Sequence, residues 1–239
     1  MDSKALAISR QHASDQGLLC VCVQAPNTKT AMKKVVQAGA VADLVELRLD
    51  LIPKADIETL VRFSPVPVIA TVRSRGEGGA GNGHSSETVS LLLRALEAGA
   101  ACVDVEMALP REVRREMIRM AGPERVILSR HIVDGTPSSH ILNSLLERMA
   151  ALRPAVIKIV CRACAPEDNH RVLALIPRAR SMGLGITAFC MGRMGAMSRL
   201  RSLRMGATLG YAAMSAVEAT ADGQIPIEDM RRLLKRSRP

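Results

Sequence analysis

The chain has 239 residues, of which 48% are apolar, enough core material for one large α/β domain or two small ones. It has no tryptophan, one tyrosine and two phenylalanines, so it offers almost no aromatic platforms on which nucleic-acid bases could stack. The formal net charge of +10 at pH 7 would suit a nucleic-acid partner, but the basic residues are spread over stretches typical of solvated helix faces. We therefore expect no nucleic-acid function.

The six cysteines indicate neither a disulfide framework nor a zinc site. Cys161 and Cys164 form a C-x-x-C pair, but no second pair follows at ligand spacing. The other four lie in apolar runs, where cysteine behaves as a small hydrophobic residue. We expect no bound metal and a reducing, cytoplasmic setting. The first 17 residues are polar, so the sequence predicts neither a signal peptide nor a membrane segment.

Eight strand-like apolar runs alternate with helical segments at a spacing of about 20 to 35 residues, the size of βα units. The predicted strands are Leu18–Val23, Asp43–Leu49, Val66–Val72, Ala101–Glu106, Arg125–His131, Ala155–Cys161, Leu184–Cys190 and Ala207–Tyr211. The predicted helices are Lys29–Ala38, Ile57–Phe63, Glu87–Ala98, Arg111–Met120, Ile141–Leu152, Pro166–Met182, Met194–Leu203 and Ile227–Leu234. Nothing marks a second domain, so we predict a single-domain (β/α)8 TIM barrel over residues 1–239, with residues 1–17 as a polar lead-in. An open doubly wound sheet is the alternative.

A lysine interrupts one of these apolar runs. Lys158 is the only charged residue of Ala155–Cys161, and burial lowers the pKa of an unpaired lysine toward values at which its amine is a nucleophile. The preceding run ends in His131, which is followed by turn residues. Each residue alone has a structural explanation, since a strand lysine can reach the strand end or pair with a carboxylate. Together they indicate one reactive site.

Further polar side chains lie at or near the C-terminal ends of their predicted strands, which is the catalytic face of a (β/α)8 barrel. These are Glu46, Arg48, Arg73 and Glu106, and Met191 lies at an equivalent place. The glycine-rich stretch Gly76–Gly81 matches G-x-G-x-x-G, but residues 82–84 intervene before the next helix, unlike in a dinucleotide-binding motif. We interpret residues 74–85 as a mobile loop.

A lysine beside a histidine permits Schiff-base chemistry. The amine condenses with a ketone, the protonated imine acidifies the neighbouring carbon, and His131 can remove that proton and protonate a leaving hydroxyl. Arginines at positions 48, 73 and 199 can bind a carboxylate through two hydrogen bonds. A hydroxylated keto acid therefore fits better than a neutral sugar.

Seven short motifs extend this interpretation to nearly the whole chain. They are ELRLD (46–50), TVRSRGEGG (71–79), DVE (104–106), SRHIVDGTP (129–137), IKIV (157–160), CMGRMGAMSR (190–199) and DGQIP (222–226). In this order the sequence resembles the type I 3-dehydroquinate dehydratases, lyases that convert 3-dehydroquinate to 3-dehydroshikimate through a lysine imine in the shikimate pathway.

The resemblance implies a homodimer that needs no cofactor, binds 3-dehydroquinate and has neither a nucleic-acid nor a membrane partner. It implies that Lys158 forms the imine, that His131 is the general acid and base, and that Glu106 can orient the histidine. Glu77 matches an acid of the family's loop. The residues that would hold or pack against the substrate are Glu46, Arg48, Arg73, Arg199, Thr220, Gln224 and Met191.

Three departures from the family accompany the match, one of them Ile132-Val133 after His131, where a more polar or aromatic pair is common. The family usually ends its lid with Ser-x-Pro-Gly-Gln, whereas this chain has Thr220-Ala221-Asp222-Gly223-Gln224. Asp222 replaces a stiff proline with a carboxylate near an anionic substrate, so weaker binding or slower closure is expected. The first strand offers no hydroxyl to the substrate.

Two other functions remain open from the residues alone. A lysine-imine aldolase would share Lys158, but it would need a phosphate cradle that the last two strands do not offer. A binding module with a basic surface would bind nucleic acid in a salt-sensitive manner, and that binding would survive Lys158→Ala.

Overall fold

The computed structural model describes residues 17–83 and 86–235, where eight strands alternate with nine helices. The strands are β1 Leu18–Val23, β2 Leu44–Arg48, β3 Val68–Thr71, β4 Cys102–Glu106, β5 Val126–Ile132, β6 Val156–Arg162, β7 Ile186–Met191 and β8 Leu209–Ala212. The helices are α1 Thr28–Gly39, α2 Ile57–Arg62, α3 Ser86–Glu97, α4 Arg111–Ala121, α5 Ser139–Ala150, α6 Pro166–Leu173, α7 Leu175–Ser181, α8 Ala196–Arg204 and α9 Ile227–Lys235. The predicted lead-in lies outside the described residues except for Gly17, as do His84 and Ser85 of the predicted loop.

The eight strands form one parallel sheet in the order β7-β6-β5-β4-β3-β2-β1-β8. The remaining seam, between β7 and β8, is joined by a backbone hydrogen bond, from the N–H of Thr208 to the carbonyl of Ile186 at 2.7 Å, and by threonine hydroxyls. Thr187 Oγ1 donates to the carbonyl of Leu209 at 3.0 Å and accepts from its N–H at 3.0 Å, and Thr208 Oγ1 accepts from the N–H of Ile186 at 3.1 Å. The predicted (β/α)8 barrel is confirmed.

The core has two layers because side chains alternate along each strand. Val45 and Leu47 of β2 pack outward against the helices, in the cluster that contains most of the buried aliphatic residues. Leu44 of the same strand points into the barrel, where it joins the second apolar cluster with Ile69 and Ile127. Toward the C-terminal ends of the strands the interior becomes polar, and this change places the functional groups at one end of the barrel.

One predicted helix is in fact two. The structure ends α6 at Leu173 and begins α7 at Leu175, within the single helix predicted from Pro166 to Met182. Pro177 explains the break. Its ring clashes with the carbonyl of Leu173, four positions earlier, and proline has no N–H to donate to that carbonyl. The chain bends at Ala174 without leaving the right-handed helical region.

The segment predicted as a mobile loop is held by hydrogen bonds over residues 74–83. Arg75–Glu77 forms a short 3₁₀ turn, and Gly79 N–H donates to the carbonyl of Ser74 at 2.9 Å. Asp50 accepts from the N–H groups of Arg73 at 3.2 Å and Ala80 at 3.1 Å. These hydrogen bonds shape a turn in which Glu77 is buried.

No helix of the described part of the chain is both long and apolar enough to cross a membrane. All six cysteines are free thiols, and five of them are buried, the exception being Cys164.

Candidate active site

A pocket of about 360 Å³ opens at the C-terminal ends of the strands. Strands, the 3₁₀ turn and the segment after β8 all contribute to its wall, so residues far apart in the chain meet there. The predicted residues on this wall are Glu46, Arg48, Arg73, Glu77, His131, Lys158, Met191, Arg199, Thr220 and Gln224. Glu106 is the predicted site residue that lies behind the wall, against Arg73.

Lys158 lies in the middle of β6 with 3% of its surface exposed. Its Nζ donates to Glu46 Oε1 at 3.2 Å and to Asp104 Oδ2 at 3.3 Å, and it lies 3.9 Å from the centre of the Tyr211 ring. Of the two states considered from the sequence, unpaired or paired with a carboxylate, the structure shows the paired one. The ammonium must release a proton before the amine can attack a carbonyl carbon.

The two carboxylates beside Lys158 stay ionised inside the barrel. Burial opposes their ionisation, but the cations outweigh it, so Lys158 and Arg48 lower the pKa of Glu46, and Arg73 and Lys158 lower that of Asp104. Glu46 also accepts from the thiol of Cys22 at 2.9 Å and from Thr71 Oγ1 at 3.0 Å. Glu46 and Asp104 thus hold Nζ in one place from two strands.

His131 is held by Glu77 through both its backbone and its ring. Glu77 Oε2 accepts from the N–H of His131 at 2.8 Å and lies 3.1 Å from the ring Nδ1. Burial, together with the nearby cations Arg73 and Lys158, lowers the pKa of His131 well below its ordinary value. The imidazole is therefore neutral at pH 7, and with Nδ1 on Glu77 the other nitrogen, Nε2, is left for a ligand.

The acid that contacts His131 is Glu77. The resemblance had implied Glu106 for this role. Glu106 ends β4 beside β3, where its Oε1 accepts from Arg73 Nη1 at 2.9 Å and from the N–H of Ser74 at 2.9 Å. The 3₁₀ turn brings Glu77 to the histidine instead. Burial raises the pKa of Glu77 to about 7, with Arg73 and Arg130 opposing and Glu106 adding to this effect.

The three predicted arginines differ in their partners. Arg48 forms a two-point ion pair with Asp50, at 2.9 and 2.7 Å, and Arg73 contacts Asp104 at 2.7 Å as well as Glu106 and Glu77. Arg199 contacts no carboxylate among the described residues. Its guanidinium lies 4.3 Å from the centre of the Phe189 ring, its buried Nε has no partner, and burial lowers its pKa to about 10. Arg199 is thus the cation left for an anionic ligand.

The segment after β8 covers one side of the pocket. Gln224 Oε1 accepts from the N–H of Thr220 at 2.7 Å and from its hydroxyl at 3.2 Å, while Gln224 Nε2 lies 3.6 Å from Cys22 Sγ. The carbonyl of Asp222 accepts from the N–H of Gly192 at 3.3 Å, which joins this segment to the end of β7. Met191, the last residue of β7, is partly buried beside it.

Sequence reasoning missed several groups of this site. Asp104 lies two residues before Glu106 on β4 and so shares its face, a period-two signal that could have identified it. Tyr211 and Phe189, which lie against Lys158 and Arg199, had no signal beyond their position in predicted strands. Among the residues that the structure describes, no three His, Cys, Asp or Glu side chains are grouped to hold a metal ion.

Comparison with known proteins assigns the chain to a family. The family model for type I 3-dehydroquinase matches residues 19–238, which is most of the chain. The chain belongs to the type I 3-dehydroquinase family. The resemblance inferred from the seven motifs is therefore confirmed.

Relatives of this type I 3-dehydroquinase match over nearly their whole length. It is 37% identical to the 3-dehydroquinate dehydratase of Syntrophobacter fumaroxidans over 227 residues, covering 91% of this chain and 95% of that protein. It is also 37% identical to the 3-dehydroquinate dehydratase of Thermococcus gammatolerans, covering 89% of this chain and 95% of that one.

Solved structures share the fold at lower identity. The type I 3-dehydroquinate dehydratase of Clostridium difficile, solved with covalent modified comenic acid, superimposes with a TM-score of 0.83 at 24% identity over 92% of each chain. The 3-dehydroquinate dehydratase of Geobacillus kaustophilus gives the same TM-score and identity over 93% of each chain.

Proposed function

We propose that this chain dehydrates 3-dehydroquinate to 3-dehydroshikimate through an imine on Lys158. The observation that supports it best is the convergence of three groups on one pocket: the Lys158 amine, a neutral His131 and the unpaired cation Arg199. A nucleophile, a base and a carboxylate receptor are the groups that this reaction requires.

In the first step the substrate carboxylate binds Arg199, which brings the ketone to Lys158. His131 takes a proton from the Lys158 ammonium, and the freed amine nitrogen attacks the carbonyl carbon. The protonated His131 then returns this proton to the hydroxyl of the adduct, which leaves as water and gives a protonated imine. Glu46 and Asp104, both 3.2 to 3.3 Å from Nζ, stabilise the positive charge that remains on this nitrogen.

In the second step His131 removes a proton from the carbon next to the imine. The electron pair of that C–H bond moves into the imine, which becomes an enamine. When the pair returns, the C–O bond to the neighbouring hydroxyl breaks, and the protonated His131 gives its proton to the departing oxygen. Water then hydrolyses the product imine and frees Lys158.

The other pocket residues have supporting roles in this proposal. Glu77 fixes the ring of His131 so that Nε2 carries the lone pair. Arg48, Thr220 and Gln224 offer donors to the substrate's hydroxyls and carboxylate, and Met191 packs against its ring. Arg73 organises the carboxylates behind the wall, a role that replaces the direct substrate contact implied by the resemblance.

We also propose, on the family resemblance, that the protein is a cytoplasmic homodimer and that residues 1–239 form one domain. Light scattering coupled to size-exclusion chromatography measures the mass of the assembly and so tests the dimer. A mass near 26 kDa, that of one 25.7 kDa chain, would contradict the dimer.

The decisive experiment traps the imine. The protein is incubated with 3-dehydroquinate, reduced with borohydride and digested, and the modified peptide is mapped by mass spectrometry. We expect a substrate-derived mass on Lys158 and, without reductant, an enone product that absorbs in the ultraviolet. A folded protein that gives neither adduct nor product would contradict the proposed function.

Two variants of Lys158 separate its role as a nucleophile from the role of its positive charge. Lys158→Arg keeps a cation beside Glu46 and Asp104, whereas Lys158→Ala leaves these carboxylates with one cation fewer. We expect both to lose turnover and the adduct, and the alanine variant to lose more stability, by about 3 kcal/mol. Lys33→Ala, at an exposed position on α1, is the matched control and should keep parental turnover. Dehydration at the parental rate by either Lys158 variant would exclude the imine mechanism.

A further inference from the structure

Each carboxylate oxygen of Glu77 has its own partners. Its Oε2 accepts from His131 and lies 3.2 Å from Arg73 Nη1, while its Oε1 accepts from Arg130 Nη1 at 2.8 Å. Arg130 precedes His131 on β5 and points to the other side of that strand. Its side chain is 36% exposed, and Arg130 is not among the described residues that line the pocket.

We propose that Arg130 is a positioning residue, which keeps Glu77 ionised and oriented so that Glu77 holds His131 in its base-competent form. This inference rests on the proposed function of His131. It concerns a residue that touches neither substrate nor the reacting atoms.

The charges around Glu77 explain why a second cation is needed. Four groups face it: Arg73 from the segment after β3, Glu106 from β4, and Arg130 and His131 from β5. Arg73 is shared among Asp104, Glu106 and Glu77, so a single guanidinium serves three carboxylates. Arg130 has no other ion pair among the described residues and gives its charge to Glu77 alone.

Protonation of Glu77 would disable the arrangement. A neutral carboxyl no longer requires a proton on Nδ1 of His131, so the tautomer with its lone pair on Nε2 loses its advantage. Since burial already raises the pKa of Glu77 to about 7, the loss of a neighbouring cation should raise it further and convert much of the enzyme to the inactive form at neutral pH.

The experiment compares three arginine substitutions. Arg130→Gln keeps a hydrogen-bond donor but removes the charge, and Arg130→Lys keeps the charge. Arg119→Gln is the control, because Arg119 forms an ion pair with Glu116 on the surface of α4 and neither residue lines the pocket. For each protein, kcat and KM for 3-dehydroquinate are measured from pH 5 to 9.

For Arg130→Gln we expect the acidic limb of the kcat/KM profile to move up by about one pH unit. At pH 7 kcat should fall about fivefold with KM unchanged, and near pH 9 activity should return to the parental value. Arg130→Lys should keep the parental limb, as should Arg119→Gln. In a Glu77→Gln background, Arg130→Gln should have no further effect, because the charge that Arg130 stabilises is gone.

An unchanged limb in Arg130→Gln, an equal loss of activity at every pH, or an effect confined to KM would overturn the proposal, since a merely structural contact gives those results. A substrate-free measurement keeps the test independent of the proposed function. In protein labelled with ¹⁵N-histidine, Arg130→Gln should lower the Nδ1–H fraction of His131 at pH 7, and an unaltered spectrum would overturn the proposal even if the parent failed to convert 3-dehydroquinate.

Discussion

The three arginines of this site have different functions because their neighbours differ. Arg48 and Arg73 are neutralised by carboxylates of the protein, whereas Arg199 is buried against an aromatic ring with an unsatisfied Nε. A buried cation without a counter-ion destabilises the free protein but is ready to receive an anion. Arg199 is therefore kept available for an anionic ligand at some cost to the stability of the free protein.

Arg199→Met should therefore trade binding for stability. Loss of a charge-assisted pair with the substrate carboxylate should raise KM about 30-fold, with a smaller effect on kcat. Removal of a buried, unpaired cation should raise the free energy of unfolding by about 1 kcal/mol. Steady-state kinetics and urea denaturation measure the two effects. A variant with parental KM would show that the carboxylate binds elsewhere.

At the scale of elements, two local features shape the site. The 3₁₀ turn after β3 places Glu77, and it requires Gly79, because a Cβ there would lie 2.2 Å from the carbonyl oxygen of Arg73. The seam between β7 and β8 combines a backbone hydrogen bond between Thr208 and Ile186 with side-chain hydroxyls, and the hydroxyl of Thr187 satisfies both backbone groups of Leu209. That seam also carries Phe189 and Tyr211 into the pocket.

Thr187→Val tests how much the Thr187 hydroxyl in this seam contributes to the free energy of unfolding. Valine has nearly the shape of threonine but leaves the buried N–H and carbonyl of Leu209 without their partner, which should cost about 2 kcal/mol of unfolding free energy. Thr187→Ser keeps the hydroxyl and should recover most of the loss. Urea denaturation measures the unfolding free energies of the three proteins, and a valine variant as stable as the parent would show that the Thr187 hydroxyl does not stabilise the seam.

At the scale of the whole molecule, the catalytic end of the barrel is a buried charge network inside a protein of net charge +10. The lowered pKa values of Glu46 and Asp104 contribute stability above their ordinary pKa near 4, and that stability is lost as the pH falls below it. The Glu77–His131 pair behaves differently because its two shifts oppose each other.

The parent should therefore show little change in stability from this pair between pH 4.5 and 6.5, because folded and unfolded states each hold one proton on it. His131→Ala leaves only the raised pKa of Glu77, so stability should fall as the pH rises from 4.5 toward 7. Glu77→Gln leaves only the lowered pKa of His131, so stability should rise with pH up to about 6.5. Unfolding free energies measured across this range test both signs. Slopes of the same sign in the two variants would refute the pairing.

The sequence by itself determined the repeating βα units, because strand and helix periodicity are local properties of the chain. It also placed Lys158 and His131 on neighbouring strands, and β5 and β6 do pair side by side, with Ser129 opposite Lys158. Its seven motifs identified the family over nearly the full length.

Only the tertiary structure decided which partners the charged residues take. His131 contacts Glu77 and not Glu106 because of the path of a short turn, and these two residues are 54 positions apart. Arg73 pairs with Asp104, which is 31 positions away. Such pairings follow from how neighbouring strands are staggered around the barrel, which residue type and spacing do not specify. For the same reason, the arginine that stays free for the substrate could be recognised only after every carboxylate near the other two had been located in space.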